Sequence, residues 1–433
     1  MMKKTLILLI VTAAVAACSK TPTALGPTPT EAQLQWQQLE TYAFIHFGLN
    51  TFNDMEWGYG DTPASTFNPT DLDCEQWVLT LKACGMQGVI LTAKHHDGFC
   101  LWPTETTDYC IKNSPYKNGQ GDVVGELCEA CRKHGLRFGL YLSPWDRHQA
   151  SYGTEEYVKL YHQQIQELTY NYGPFFEFWF DGANGGDGWY GGANEIRSID
   201  ANTYYDFEKA RAIVCSGSPE TMVFGGTVPT IRWIGNERGY VAPTLWCTEG
   251  DAWLPAEVDV SIRPGWFYHE SEQPKALEEL LDIYFNSVGH NANLLLNFPV
   301  NKEGRIPSID SLRAVEWHQT LQNLFSEDLM KACKTSSSDP YANLQEQVFS
   351  FDNPTTLSCL VLQEDITKGQ RVERFSISRY RNGKWLPLDT DEVMTTIGYK
   401  RIIRFKPAEM EKLRIRFIKT KGPVMMKKVS GYQ

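Results

Sequence analysis

The sequence predicts an α/β chain: a (β/α)8-like, TIM-type barrel followed by a C-terminal antiparallel β-sandwich. Three observations predict it. From residue 31 to 328, short apolar runs ending in polar or glycine-containing sequence alternate with helical stretches, the pattern of a parallel sheet with helices outside. The number of runs fits a closed eight-stranded barrel better than an open sheet, and no glycine-rich nucleotide loop follows an early strand. From residue 335 to 433 the runs become short and alternate polar with apolar, as antiparallel strands do.

In chain order, Lys3 and Lys4 precede an apolar stretch from Leu6 to Ala17, and Cys18 follows. That is the layout of a signal peptide over 1–17, too short to span a bilayer comfortably. Val15-Ala-Ala-Cys18 resembles a bacterial lipobox, with Cys18 as the lipidated residue; the competing reading is a plain signal peptide cut nearby. Residues 18–30, carrying several prolines, read as a tether. The expectation is an exported lipoprotein of a Gram-negative bacterium, periplasmic or in the outer membrane, touching the membrane through its lipid alone. Barrel strands are expected at 42–47, 88–93, 138–142, 175–180, 222–224, 245–248 and 294–297, with helices such as 74–84, 123–134 and 155–172 between them. The glycine-rich run 184–199 reads as a long insertion. Residues 335–339 are expected as a linker, followed by strands at 347–351, 358–362, 374–379, 402–405 and 413–417. Asn382-Gly383 marks a tight hairpin.

Composition narrows the function. Hydrophobic residues make up 42%, enough for a sizeable core. The formal net charge of -11 and the absence of a basic stripe argue against nucleic acid as a partner. Thirteen Trp and 20 Tyr suit stacking on the apolar faces of sugars, and equally a large aromatic core. Of the 11 cysteines, only Cys128 and Cys131 are close in sequence. They share one helix face, and with no second CxxC or suitable His spacing they read as core rather than metal or redox residues.

The chemistry-bearing residues fall where barrel strands should end: His46, the run Lys94-His-His-Asp97, Tyr141, Asp181, Glu249 and Asn297. In a parallel barrel those ends meet in one pocket. Asp181 is the sharpest of them. It closes the apolar run Phe178-Trp-Phe, where a carboxylate is costly to bury without a task or a partner. The plainer alternative is a carboxylate that caps the next helix or pairs with an arginine. His46 alone would read as a satisfied core histidine. His95 and His96, adjacent on a strand, should point in different directions, which argues against a metal pair; no metal and no cofactor is expected. Neutral imidazoles hold hydroxyl groups well, because each can donate and accept.

Tyr42-Ala-Phe-Ile-His-Phe-Gly48, Glu56-Trp57-Gly58, Lys94-His-His-Asp-Gly-Phe99, Tyr141-Leu-Ser-Pro-Trp-Asp146 and Phe178-Trp-Phe-Asp-Gly-Ala183 together resemble the α-L-fucosidases of glycoside hydrolase family 29. Arg232-Trp-Ile-Gly-Asn-Glu-Arg-Gly239 and Ser261-Ile-Arg-Pro-Gly-Trp-Phe-Tyr-His269 resemble its subfamily restricted to α-1,3/1,4-linked fucose. The resemblance implies a retaining exo-glycosidase acting on branched, Lewis-type fucosylated glycans, with Asp181 as nucleophile and Glu237 as acid/base. Glu249 and Glu56 are rival acids. Arg238, beside Glu237, should point outward. The resemblance further implies a fucose pocket of His46, Trp57, His95, His96 and Tyr141. Trp179 and Trp266 would offer apolar faces to the C6 methyl group, and Glu56 and Arg263 would bond the sugar or brace its ligands. Asn297 is expected to tie strand ends together. A broader fucosidase that also takes aryl, α-1,2 or α-1,6 fucosides, and a non-catalytic surface glycan-binding protein, are the alternatives.

Overall fold

A computed structural model describes residues 23–247 and 250–433; the expected signal peptide, Cys18 and Glu249 lie outside the described residues. The barrel is built from β1 (Thr41–Ile45), β2 (Gly88–Lys94), β3 (Arg137–Leu142), β4 (Glu177–Trp179), β7 (Met222–Phe224), β8 (Arg232–Trp233), β9 (Ala256–Ser261) and β10 (Ala292–Asn297). A two-stranded excursion, β5 (Gly186–Gly188) with β6 (Glu195–Arg197), forms the insertion after β4. The barrel strands run in the order β7-β4-β3-β2-β1-β10-β9-β8, and every pairing is parallel. The seam between β7 and β8 is bridged by Thr230, whose N–H donates to the Val223 carbonyl at 2.9 Å.

Helices α1 (Glu31–Gln37), α2 (Leu49–Asn53), α3 (Cys74–Ala83), α4 (Val123–His134), α5 (Glu155–Tyr172), α6 (Phe207–Gly217), α7 (Leu277–Ser287) and α8 (Ser308–Leu324) accompany the strands. Their ends are written in the sequence. Asp73 and Asp122 cap α3 and α4 by accepting from Gln76 and Gly125 N–H, and Gly135 closes α4 in the left-handed region at φ 67°.

Side-chain alternation along the strands sorts the barrel into two cores. Ala43, Ile45, Phe178, Val258, Val260, Leu294 and Leu296 face the helices. Tyr42, Phe44, Trp179, Phe224 and Leu295 form a separate, aromatic-rich cluster. That cluster fills the barrel interior, and Glu257, Asp259 and Asn297 are buried on the same parity of their strands.

One expected strand is absent. Residues 245–247 form the end of a 3-10 turn and a bend, and the barrel wall there is β8 and β9. Among the described residues no α-helix separates β7 from β8 or β8 from β9, only the 3-10 turn Pro243–Leu245 in the second gap. The strand–helix rhythm that located the earlier strands therefore fails in this stretch. Glu237 lies in the long β8–β9 connection, on the C-terminal side of β8.

The C-terminal region is an antiparallel sheet, ordered β11-β12-β15-β13-β14 with β16 on β12. Its strands are β11 (Lys334–Ser337), β12 (Gln345–Glu364), β13 (Val372–Arg381), β14 (Lys384–Pro387), β15 (Arg401–Thr420) and β16 (Met426–Tyr432). It folds over a core of its own, giving a sandwich-like domain. The expected linker is in fact largely β11, paired with β12. The expected pairs of short strands merge into the long β12 and β15. Their prolines, Pro354 and Pro407, sit at register breaks, where no ladder N–H is needed. Asn382-Gly383 makes the expected two-residue turn, with φ of 51° and 79° and Arg381 paired to Lys384.

Candidate active site

The C-terminal ends of β1, β2, β3, β4, β9 and β10 converge on one polar depression. His46 follows β1, His95 and His96 follow β2, Asp181 follows β4, and Asn297 ends β10. β2 ends at Lys94, whose ammonium turns away to Asp146, Tyr157 and Gln164, fully buried. The two histidines beyond it are off the strand, so they do not diverge as expected; their ring centroids lie 4.1 Å apart. His95 also lies 5.7 Å from His46 and stacks at 5.8 Å on Tyr141.

Each imidazole is wired by a neighbour of known polarity, which fixes its tautomer. Asn297 spends its amide N–H groups on Ser261 Oγ and the Trp266 carbonyl, so its Oδ1 accepts from His46 Nδ1 at 2.9 Å. Ser143 donates to the Trp145 carbonyl, so its Oγ accepts from His96 Nδ1 at 2.7 Å. Asn50 accepts from Gly58 N–H through Oδ1 and presents its amide nitrogen to His95 Nδ1 at 3.4 Å. His46 and His96 thus offer lone pairs at Nε2, and His95 offers an N–H there. Burial lowers all three pKa values, His46 to about 3, so the rings are neutral at ordinary pH.

Asp181 is a quarter exposed at most, its side chain 23% accessible. Tyr141 donates to Oδ2 at 2.8 Å, Ala183 N–H donates to Oδ1 at 2.7 Å, and His96 Nε2 lies 3.8 Å from Oδ2. Burial, and then the Asp181 charge, push the Tyr141 phenol well up, so it remains a donor. The Ala183 bond does resemble a cap, yet it leaves the carboxylate facing the depression rather than an arginine.

Glu237 is exposed, and its Oε2 accepts from Trp266 Nε1 at 3.3 Å. Arg238 is exposed, as expected. Trp266 packs against His46 at 5.1 Å and Phe44 at 6.2 Å, so one indole links the Glu237 loop to the imidazoles. Glu56 accepts from the Trp266 and Phe267 N–H groups and from His269 Nε2, which makes it the clamp on that loop. Arg263 is 2% exposed and spends its guanidinium on Asp310 and the His269 and Glu272 carbonyls, which makes it a brace. Trp57 projects, 55% exposed, with its edge towards His96 and Trp145. Trp179 is buried, stacked on Phe224 at 3.8 Å and beside Tyr141 at 5.6 Å.

Sequence reasoning missed Phe44, Asn50 and Ser143. Phe44 could have been found, since it lies on β1 two residues before His46, the spacing that puts two side chains on one face of extended chain. Asn50 and Ser143 gave no signal, because their role is to orient other side chains. Among the described residues no group of three or more His, Cys, Asp or Glu is arranged to hold a metal ion. The ten described cysteines, Cys128 and Cys131 included, are free thiols.

The chain matches the sequence model of the alpha-L-fucosidase family over residues 28–319. It is 39% identical to alpha-L-fucosidase 1 of Arabidopsis thaliana over 434 residues, spanning 89% of this chain and 83% of the plant protein. A glycoside hydrolase 29 family member from an unknown rumen bacterium superposes with a TM-score of 0.90 at 44% identity, over 95% of this chain and 78% of that one. A Ruminococcus gnavus family 29 fucosidase in complex with fucose superposes with a TM-score of 0.85 at 31% identity, over 96% of both chains.

Proposed function

The chain belongs to the alpha-L-fucosidase family, and from that premise we propose a retaining exo-α-L-fucosidase that releases terminal α-1,3/1,4-linked fucose from branched glycans. The observation that carries this reading is Asp181, a carboxylate at a barrel strand end, held by Tyr141 and Ala183 and beside His96, the first of a cluster of three neutral imidazoles.

The imidazoles take the ring hydroxyls, two as acceptors and one as a donor. Phe44, Tyr141 and Trp266 supply the apolar wall suited to the sugar's methyl group. Asp181 attacks the anomeric carbon, forming a fucosyl ester as the glycosidic C–O bond breaks. Glu237 gives its proton to the departing oxygen, then takes one from the water that cleaves the ester. Retention calls for carboxyl groups about 5–5.5 Å apart. The Trp266 indole, bonded to Glu237 through its N–H and packed on His46, supports Glu237 as the facing group.

Asp181→Ala should fold and lose turnover by several orders of magnitude; full activity would remove the nucleophile assignment. Glu237→Ala should regain turnover of an aryl fucoside with azide, and rescue at Glu249→Ala instead would move the acid/base there. Linkage is read from a Lewis trisaccharide against para-nitrophenyl fucoside. Strong aryl turnover with none of the trisaccharide would favour the broader specificity. For export, the motif at Cys18 supports a lipid anchor; labelled fatty acid should be incorporated by the wild type and lost in Cys18→Ser.

A further inference from the structure

Beneath the pocket, the barrel interior holds an acid pair with no part in the chemistry above. Glu177 opens β4 and Glu257 lies on β9, both fully buried. Glu257 Oε1 accepts from Trp179 Nε1 at 2.8 Å, and its Oε2 accepts from the Tyr42 hydroxyl. Glu177 Oε2 accepts from Trp36 Nε1 at 2.8 Å, while its Oε1 has no donor. The Glu257 charge acts on Glu177, and neither carboxyl forms an ion pair with a Lys, Arg or His among the described residues.

Two neighbouring carboxyl groups buried without a cation do not both ionise readily. Burial, and then the Glu257 charge, push the Glu177 carboxyl well up, which favours its acid form. Glu257 accepts from two donors, Tyr42 and Trp179.

The second donor leads to the reaction. Trp179 precedes Asp181 by two residues, and Phe224 covers one indole face at an interplanar angle of 4°. Tyr141, the register partner of Trp179, lies on the indole and donates to Asp181 Oδ2. We propose that Glu257 is a positioning residue for the reaction: by locking the Trp179 indole it sets the platform on which Tyr141 holds Asp181. The proposal rests on Asp181 being the nucleophile.

The test measures kcat, KM and Tm for dinitrophenyl fucoside, whose leaving group needs no acid, with azide present to accept the fucosyl group without a base, so that loss of Glu237 function does not register. Glu177→Gln leaves the Trp179 bond to Glu257 in place and should retain near-native kcat. Glu257→Gln turns an amide N–H towards one of its two donors, Tyr42 and Trp179. Its kcat should fall roughly 10- to 100-fold with little change in KM. Trp179→Phe removes the indole N–H and keeps a ring under Tyr141; its kcat should fall likewise. The double variant should be no slower than the slower single, because both remove one link. Unchanged kcat with a lowered Tm, or losses that multiply, would overturn the proposal. If Glu257→Gln does not fold, Trp179→Phe decides by the same criterion. Asp181→Ala separates the two levels: if it is inactive while Glu257→Gln is native-like, only the positioning role falls; if it is active, both fall.

Discussion

His46 shows what burial does to one side chain. Its imidazole is 4% exposed, bonded to Asn297, and held at a pKa of about 3 against an ordinary 6.5. A base whose folded pKa is depressed binds fewer protons than the unfolded chain between those values. Its neutral form therefore adds stability above pH 6.5 that is lost as pH falls towards 3. His95 and His96 are shifted in the same direction, so the loss is shared. His46→Gln should flatten the fall of Tm between pH 6.5 and 3, and thermal melts across that range will read it. An unchanged slope would mean that other groups carry the acid limb. At this scale the sequence supplied identities and little geometry. His95 and His96 were legible as polar residues at a strand end, but their convergence was not, because it depends on Lys94 turning away to Asp146. The roles of Arg263 and Glu56 were equally hidden, since a charged side chain that binds a sugar and one that braces a loop are the same letters.

Strand ends decide where the chemistry sits, and their neighbours hold them there. Gly225 follows β7 at φ 75°, and a methyl group built on it would collide with the Phe180 carbonyl oxygen, one residue before Asp181. Phe180 N–H in turn donates to the Phe224 carbonyl at 3.0 Å. Gly225→Ala should cost about 1–3 kcal/mol in denaturant unfolding and lower kcat by displacing the end of β4. A variant of native stability and rate would show that the turn adjusts freely. Elements with strong local signals were readable: α4 between Asp122 and Gly135, α5, and the Asn382-Gly383 hairpin. β8 was not, because two residues have no periodicity to detect. β9 was not, because Glu257 and Asp259 interrupt the apolar pattern expected of a buried strand.

Across the whole molecule, the sandwich-like domain is fastened to the barrel by buried polar contacts. Arg401 is fully buried, bonds Glu392 at 2.8 Å and lies 4.0 Å over Trp246 of the β8–β9 connection. Ile402 N–H donates to the Gly289 carbonyl at 3.0 Å, and Tyr399 donates to Glu40 at 3.0 Å. Tyr399 is thus an interface residue, and Tyr380 and Trp385 pack together beneath Lys412 and Arg414 rather than standing free. Arg401→Ala should lose about 3 kcal/mol, because it leaves a half-buried charge without its partner. Arg404→Ala, whose partner Asp282 is well exposed, should lose less than about 1 kcal/mol. Equal effects in chemical denaturation would contradict that ranking. The sequence by itself determined the alternating architecture, the family and the nucleophile candidate, since each is carried by contiguous residues whose order is their signal. Only the tertiary structure decided the wiring: which imidazole nitrogen is free, which indole joins Glu237 to the pocket, and that Glu257 bonds the Trp179 indole inside the barrel. Those depend on residues far apart in the chain, brought together by strand register and barrel closure, and no local pattern encodes a partner 29 or more positions away.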